Sequence, residues 1–209
     1  MNKKIFRLLV SALAVVFVSC TKNDDTTIVP FGTESYIDEI LGVIPDSTMQ
    51  AFETAFGAVP RGYIPANVEG DYVIAPKERV ASNVEGWMMN PDPELNVSLS
   101  FSEQHNGVVR VELSEAIEQL TDTAFVMGTG NAFTVYFVEN KSYDVTLDET
   151  FHVNMERGVI IKGNVNADGI SNLYFAVVIL KVEDDFGGIV PHPGSYFVYR
   201  DGNGLASRL

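Results

Sequence analysis

Apolar residues change their spacing partway along the chain, and the change separates two kinds of element. Between residues 34 and 57 they recur every three or four positions. ESYIDEILG (34–42) sets Ile37, Ile40 and Leu41 on one helical face and stops at Gly42. DSTMQAFETAFG (46–57) does the same with Met49, Phe52 and Phe56 and stops at Gly57. Ser47 followed by Gln50 fits a capping box, which satisfies free N–H groups of a first helical turn. From Gly70 onward the period falls to two. NVSLSFS (96–102) alternates Val97, Leu99 and Phe101 with serine, the pattern of a strand with one wet face. His105-Asn106-Gly107 turns the chain, because Asn and Gly both accept positive φ, and VVRVEL returns Val109, Val111 and Leu113 to the same side.

The same reading predicts strands at 132–138, 143–147, 151–155, 158–165, 173–182 and 195–200, with Asp168-Gly169 as another turn. Short strands separated by Gly and Asn point to a mostly β domain over 34–209. The expected architecture is an antiparallel barrel or sandwich preceded by two short N-terminal helices. LYFAVVIL (173–180) is apolar on both faces, so it is expected in a central position or covered on its outside by those helices.

The first 33 residues follow neither period. Lys3, Lys4 and Arg7 precede an apolar run from Leu8 to Val18, and small residues stand before Cys20. That is the layout of a secretory signal over 1–19. The run is too short to cross a bilayer as a helix, which takes ~20 residues. Residues 20–33 are polar, Thr-rich and broken by Pro30 and Gly32, as in a flexible tether. Cys20 is the sole cysteine, so a disulfide has no second partner.

FVSC (17–20) resembles the lipobox of bacterial lipoproteins, with Phe17 where Leu is usual. The resemblance implies cleavage before Cys20 and a thioether from its sulfur to a diacylglycerol. Acyl chains hold a protein to a membrane at ~0.8 kcal/mol per buried CH2. Lys22, Asp24 and Asp25 are similar to the export signal of Bacteroidetes surface lipoproteins, which implies the outer face of the outer membrane. IPANVEGDYVI (64–74), GTGNAFTVYF (128–137), DGISNLYFAVVIL (168–180) and GSYFVYRDGNG (194–204) together resemble a Bacteroidetes surface lipoprotein family whose activity is uncharacterised. Gly70-Asp71-Tyr72 is similar to the Gly-x-Trp start of lipocalin-like barrels, with Tyr72 in place of Trp. That likeness implies a cavity for a small apolar ligand.

Charge and chemistry narrow the function. The net charge is −14, and more negative once Lys3, Lys4 and Arg7 are removed. So acidic a chain repels nucleic acid, which is excluded as a partner. His105, His152 and His192 are isolated from one another, without metal-site spacing. No Gly-x-Ser-x-Gly marks an activated serine. GTGNAF leads into a strand and reads as a turn, because no helix N-terminus follows to hold a phosphate. Glu183-Asp184-Asp185 and Asp201-Gly202-Asn203-Gly204 offer oxygen ligands for calcium but lack the full loop pattern, so solvated loops are expected. No metal, no cofactor and no enzymatic activity are expected.

EGWMMNPDPE (85–94) is the most unusual loop. Trp87, Met88 and Met89 read either as a lip or sugar platform at an opening, or as core filling. The expected function is a lipid-anchored, non-enzymatic binding module of the outer membrane. Its ligand would be a small apolar molecule or glycan held by Trp87, Met88, Met89 and Tyr72. The alternative is an accessory subunit of a surface protein complex, docking through a sheet edge or the Trp87 loop.

Overall fold

The structure, a computed structural model, describes residues 46–84, 96–115, 118–146, 149–184 and 191–209. The leader, Cys20, the tether with Lys22, Asp24 and Asp25, the first helical pattern and the Trp87-Met88-Met89 loop lie outside these residues.

Among the described residues one helix, α1 (Asp46–Phe56), precedes the strands. They are β1 (Tyr63–Ile64), β2 (Gly70–Ile74), β3 (Lys77–Ser82), β4 (Val97–His105), β5 (Val108–Glu115) and β6 (Glu118–Thr129), then β7 (Ala132–Thr146), β8 (Thr150–Asn166), β9 (Gly169–Asp184), β10 (Tyr196–Asp201) and β11 (Leu205–Arg208). Ten of them form an antiparallel sheet in the order β11-β2-β4-β5-β6-β7-β8-β9-β10-β3, and β1 adds to β6 in parallel. β11 pairs with β2 through Ser207↔Val73 and with β9 through Ala206↔Ile170. The hydrogen bonding therefore closes a ring through eight strands, while β10 and β3 continue the sheet outside it.

Alternation explains the two faces. On β7, Phe133, Val135 and Phe137 join one buried cluster and Tyr136 joins another. Neighbouring strands divide alike, with Val159 and Ile161 of β8 facing one way and Ile160 the other. The first cluster draws residues from all eight ring strands, including Tyr72, Leu99, Val111, Val126, Phe175 and Ala206. Phe101 lies edge-on to both Tyr72 and Phe133, at centroid distances of 6.2 and 5.9 Å. This is a packed core: each such side chain contributes roughly 1.5–3 kcal/mol by leaving water. Among the described residues, large side chains such as Tyr72, Phe101 and Phe133 occupy inward positions of the ring.

The second cluster lies under α1. Phe52 and Phe56 reach the sheet as their spacing predicts, with Phe52 edge-on to Tyr196 and Phe56 against Tyr174. The helix ends at Gly57, whose φ of +76° suits a residue without Cβ and whose N–H donates to the Glu53 carbonyl. β9 is central and covered outside by α1, as its two apolar faces suggest. The turns at Asn106-Gly107 and Gly130-Asn131 fall where expected, and the third lies one residue earlier than expected, at Ala167-Asp168, with Gly169 opening β9.

Candidate functional site

The longest strands outrun their neighbours. β6 pairs with β7 only from Ala132 to Tyr136, and β10 with β9 only as far as Val178. β7 and β8 nevertheless stay paired to Thr146↔Thr150, and β8 and β9, with a register shift at Glu156/Arg157, to Val153↔Asp184. The result is a three-stranded arm. Two strands expected in 132–147 are one here, as are two in 151–165. Part of the reason is that Arg157 pairs with Glu139 directly across the ladder, in a half-buried ion pair.

Residues opposite one another on paired strands share a face. Asn140 thus stands beside Glu156 and Lys181, Ser142 beside Asn154 and Glu183, and Asp144 beside His152. On β7 and β8 these even-numbered positions continue the face that carries α1. A register shift beyond Glu156 brings Lys181 and Glu183 to the same side. Together Asn140, Ser142, Asn154, Glu156, Lys181 and Glu183 border a groove of about 200 Å³.

Its walls are tied by polar contacts. Ser142 Oγ donates to Asn154 Oδ1 and lies 3.4 Å from His152 Nε2. The other ring nitrogen of His152 is 2.8 Å from Asp144 Oδ1. Lys181 Nζ is 2.6 Å from Glu183 Oε1. That hydrogen bond raises the Lys181 pKa and lowers that of Glu183, with charge attraction acting the same way.

Ser142, His152 and Asp144 follow the order of a nucleophilic triad, but their setting differs. A triad depends on a buried carboxylate to hold and charge its imidazole. Here Asp144 is 65% exposed and His152 51%, so water screens that pull. Asn154 also takes the serine hydroxyl. The contacts form a solvent-exposed polar ladder across β7 and β8.

Other residues singled out by sequence sit elsewhere. Tyr72 is fully buried in the ring, where its hydroxyl donates to the Val68 carbonyl at 2.8 Å and receives Arg208 Nη2 at 2.8 Å. Burial raises its pKa, opposed by Arg208. Asp201, one of the candidate calcium ligands, is buried and accepts N–H groups from Ala75, Asn203 and Leu205. Its carboxylate organises the chain between β10 and β11 and is spent there. Glu183 lies at the groove, while Asp185 falls outside the described residues. His105 contacts its own turn through the Glu103 carbonyl, far in sequence from the arm. Among the described residues no three His, Cys, Asp or Glu side chains gather as metal ligands.

Comparison of the chain with protein-family models, curated proteins and solved structures finds no match in any of the three. Sequence reading missed Asn140, Ser142, Asn154, Glu156 and Lys181. Their signal is only the polar alternation on two strands, and the register that gathers them is tertiary.

Proposed function

We propose that this chain is a lipid-anchored, non-enzymatic binding module of the outer-membrane surface. Its ring is a barrel filled by its own side chains, and its working surface is the outer face of the β7–β8–β9 arm. One observation carries the reading: Phe101, Phe133 and Phe137 inside the ring are almost wholly buried, which supports a ligand met on the outer face. The charged leader, the lipobox-like FVSC and Cys20 support the anchoring, and Lys22, Asp24 and Asp25 support surface routing.

Two measurements test it together. A fatty-acid probe titrated into the purified mature chain should leave Trp87 emission without a saturable shift. A photo-crosslinking residue at Asp144 should capture partner material on intact cells more strongly than one at Asn131, in the β6–β7 turn. A saturable shift, or capture no stronger at Asp144, overturns the proposal.

The accessory-subunit reading has its own support. Beyond Tyr136 the outer edge of β7 has no partner strand among the described residues, and such an edge can accept a strand from another protein. A crosslinked product that is protein favours this reading, and one that is carbohydrate favours glycan binding.

A further inference from the structure

We infer that the arm groove is a subsite for a neutral, polyhydroxylated ligand, the sugar ring of a glycan. The inference rests on the reading of the arm as the working surface. It follows from what the lining can and cannot recognise.

The lining itself carries no net charge that would select an ionic ligand. Lys181 and Glu183 neutralise one another at 2.6 Å, and the remaining charges on the lining, Lys141 and Glu156, are also of opposite sign. A metal ion lacks its ligand set among the described residues. An apolar ligand would meet the Met155 side chain and the aliphatic stems of Lys141 and Lys181, but would also strip water from amides, a hydroxyl and charged groups.

A sugar ring suits the same wall. Each of its hydroxyls both donates and accepts, and neighbouring hydroxyls act as a pair. The amide of Asn140 presents an acceptor beside a donor, and Asn154 offers its Nδ2 donor while its Oδ1 holds Ser142. The carboxylates of Glu156 and Glu183 add acceptor oxygens, one of those of Glu183 shared with Lys181. These groups stand on strands, about 4.8 Å apart across the sheet and about 6.8 Å apart along it. Their spacing is therefore fixed before binding. Asn154 is further held by Ser142, and Ser142 by the His152–Asp144 contact, so less side-chain freedom is lost when a ligand arrives. Affinity for a single ring is weak, because the site is open and wet, and a polymer gains by repeated contact.

The test is saturation-transfer NMR on the purified mature chain with neutral hexasaccharides: malto-, cello-, manno- and xylo-oligosaccharides, with a sulfated heparin hexasaccharide as the charged control. At least one neutral probe should bind in preference to the sulfated one. Asn154→Ala and Glu156→Gln should each weaken that binding at least fivefold with an unchanged circular dichroism spectrum, since neither side chain belongs to either core cluster. The inference is overturned if no neutral probe binds, if the sulfated probe binds best, or if both substitutions leave binding intact. Failure of the sugars with continued capture of protein at Asp144 would end the sugar inference alone. Capture no stronger at Asp144 than at Asn131 would end the working-surface reading as well.

Discussion

Lys162, in the middle of β8, donates from Nζ to the carbonyl oxygen of Phe56, the last residue of α1, at 2.6 Å. The same ammonium reaches the carbonyls of Ala58 at 2.9 Å and Gly57 at 3.4 Å, and stands 4.9 Å from the centre of the Phe56 ring. A helix leaves its last carbonyls without internal partners, and a cation there also meets the negative end of the helix dipole. One strand residue thus ties the helix to the sheet. Burial lowers the Lys162 pKa below the lysine range, with Glu53 opposing.

Lys162→Met keeps the stem and removes the donors. Stability should fall by about 1–3 kcal/mol, the cost of leaving buried acceptors unpaired, measured by urea unfolding. Limited proteolysis should then cut first within α1. An unchanged midpoint with an intact helix would show that the clamp contributes nothing.

Tyr136, also under α1, gives a pH prediction. Its hydroxyl is buried without a hydrogen-bond partner, while the neighbouring Thr134 hydroxyl donates to the Pro60 carbonyl. Burial, the dominant cause, pushes its pKa from 10.0 up to about 12, against smaller opposing effects of Thr134 and Arg61. Between these values the unfolded chain has released a proton that the folded chain keeps. Stability from this group is therefore complete below pH 10 and falls as pH rises toward 12, by roughly 3 kcal/mol. Tyr72 acts in the same direction and Lys162 in the opposite one, so the comparison to make is wild type against Tyr136→Phe. The variant should lose this part of the alkaline decline and be no less stable at pH 7. Parallel stability curves for the two proteins would refute the assignment.

Gly169 sits where β11 closes the ring on β9, opposite Ser207. Its φ is +150°, and a Cβ there would lie 2.1 Å from the Ala206 carbonyl oxygen. Gly169→Ala should cost about 1–3 kcal/mol, as strained backbone does. Amide exchange should quicken at Ala206 and Ser207 before it does in β4 and β5. Uniform exchange across the ring would mean that the seam is not the weak point.

Anchoring is tested at Cys20. Cys20→Ala should release the chain from membranes and abolish incorporation of labelled fatty acid. Label retained by that variant would remove the lipid anchor from the proposal.

The elements legible in the sequence were those whose pattern reports burial directly. Val97, Leu99 and Phe101 announce β4, and Phe52 and Phe56 announce α1, because one face of each is dry. β6 escaped the same test: Asp122 interrupts the inward alternation between Leu120 and Ala124, and Thr121 and Thr123 flank it. KERVAS (β3) and LASR (β11) are short and charged, and only their partner strands hold them in the sheet. Glu139 and Lys141 read as loop residues because the sequence does not show Arg157 waiting across the ladder. The groove was illegible for a related reason. Lys181 and Glu183 join its wall only because the pairing slips by one residue beyond Glu156, and no local preference encodes that slip.

The ring has a consequence for how the chain comes to be folded. Its seam joins β2 to β11, and the Arg208–Tyr72 contact across it links residues 136 positions apart in sequence. Pairings this remote close late and slowly, because a long loop loses its freedom before any contact compensates. A chain emerging from its N-terminus would therefore hold β2 unmatched on one side until Leu205–Arg208 arrived. For a protein that we propose is carried across a membrane before it folds, this delay is useful: the part already made cannot close into its final shape while the rest is still in transit.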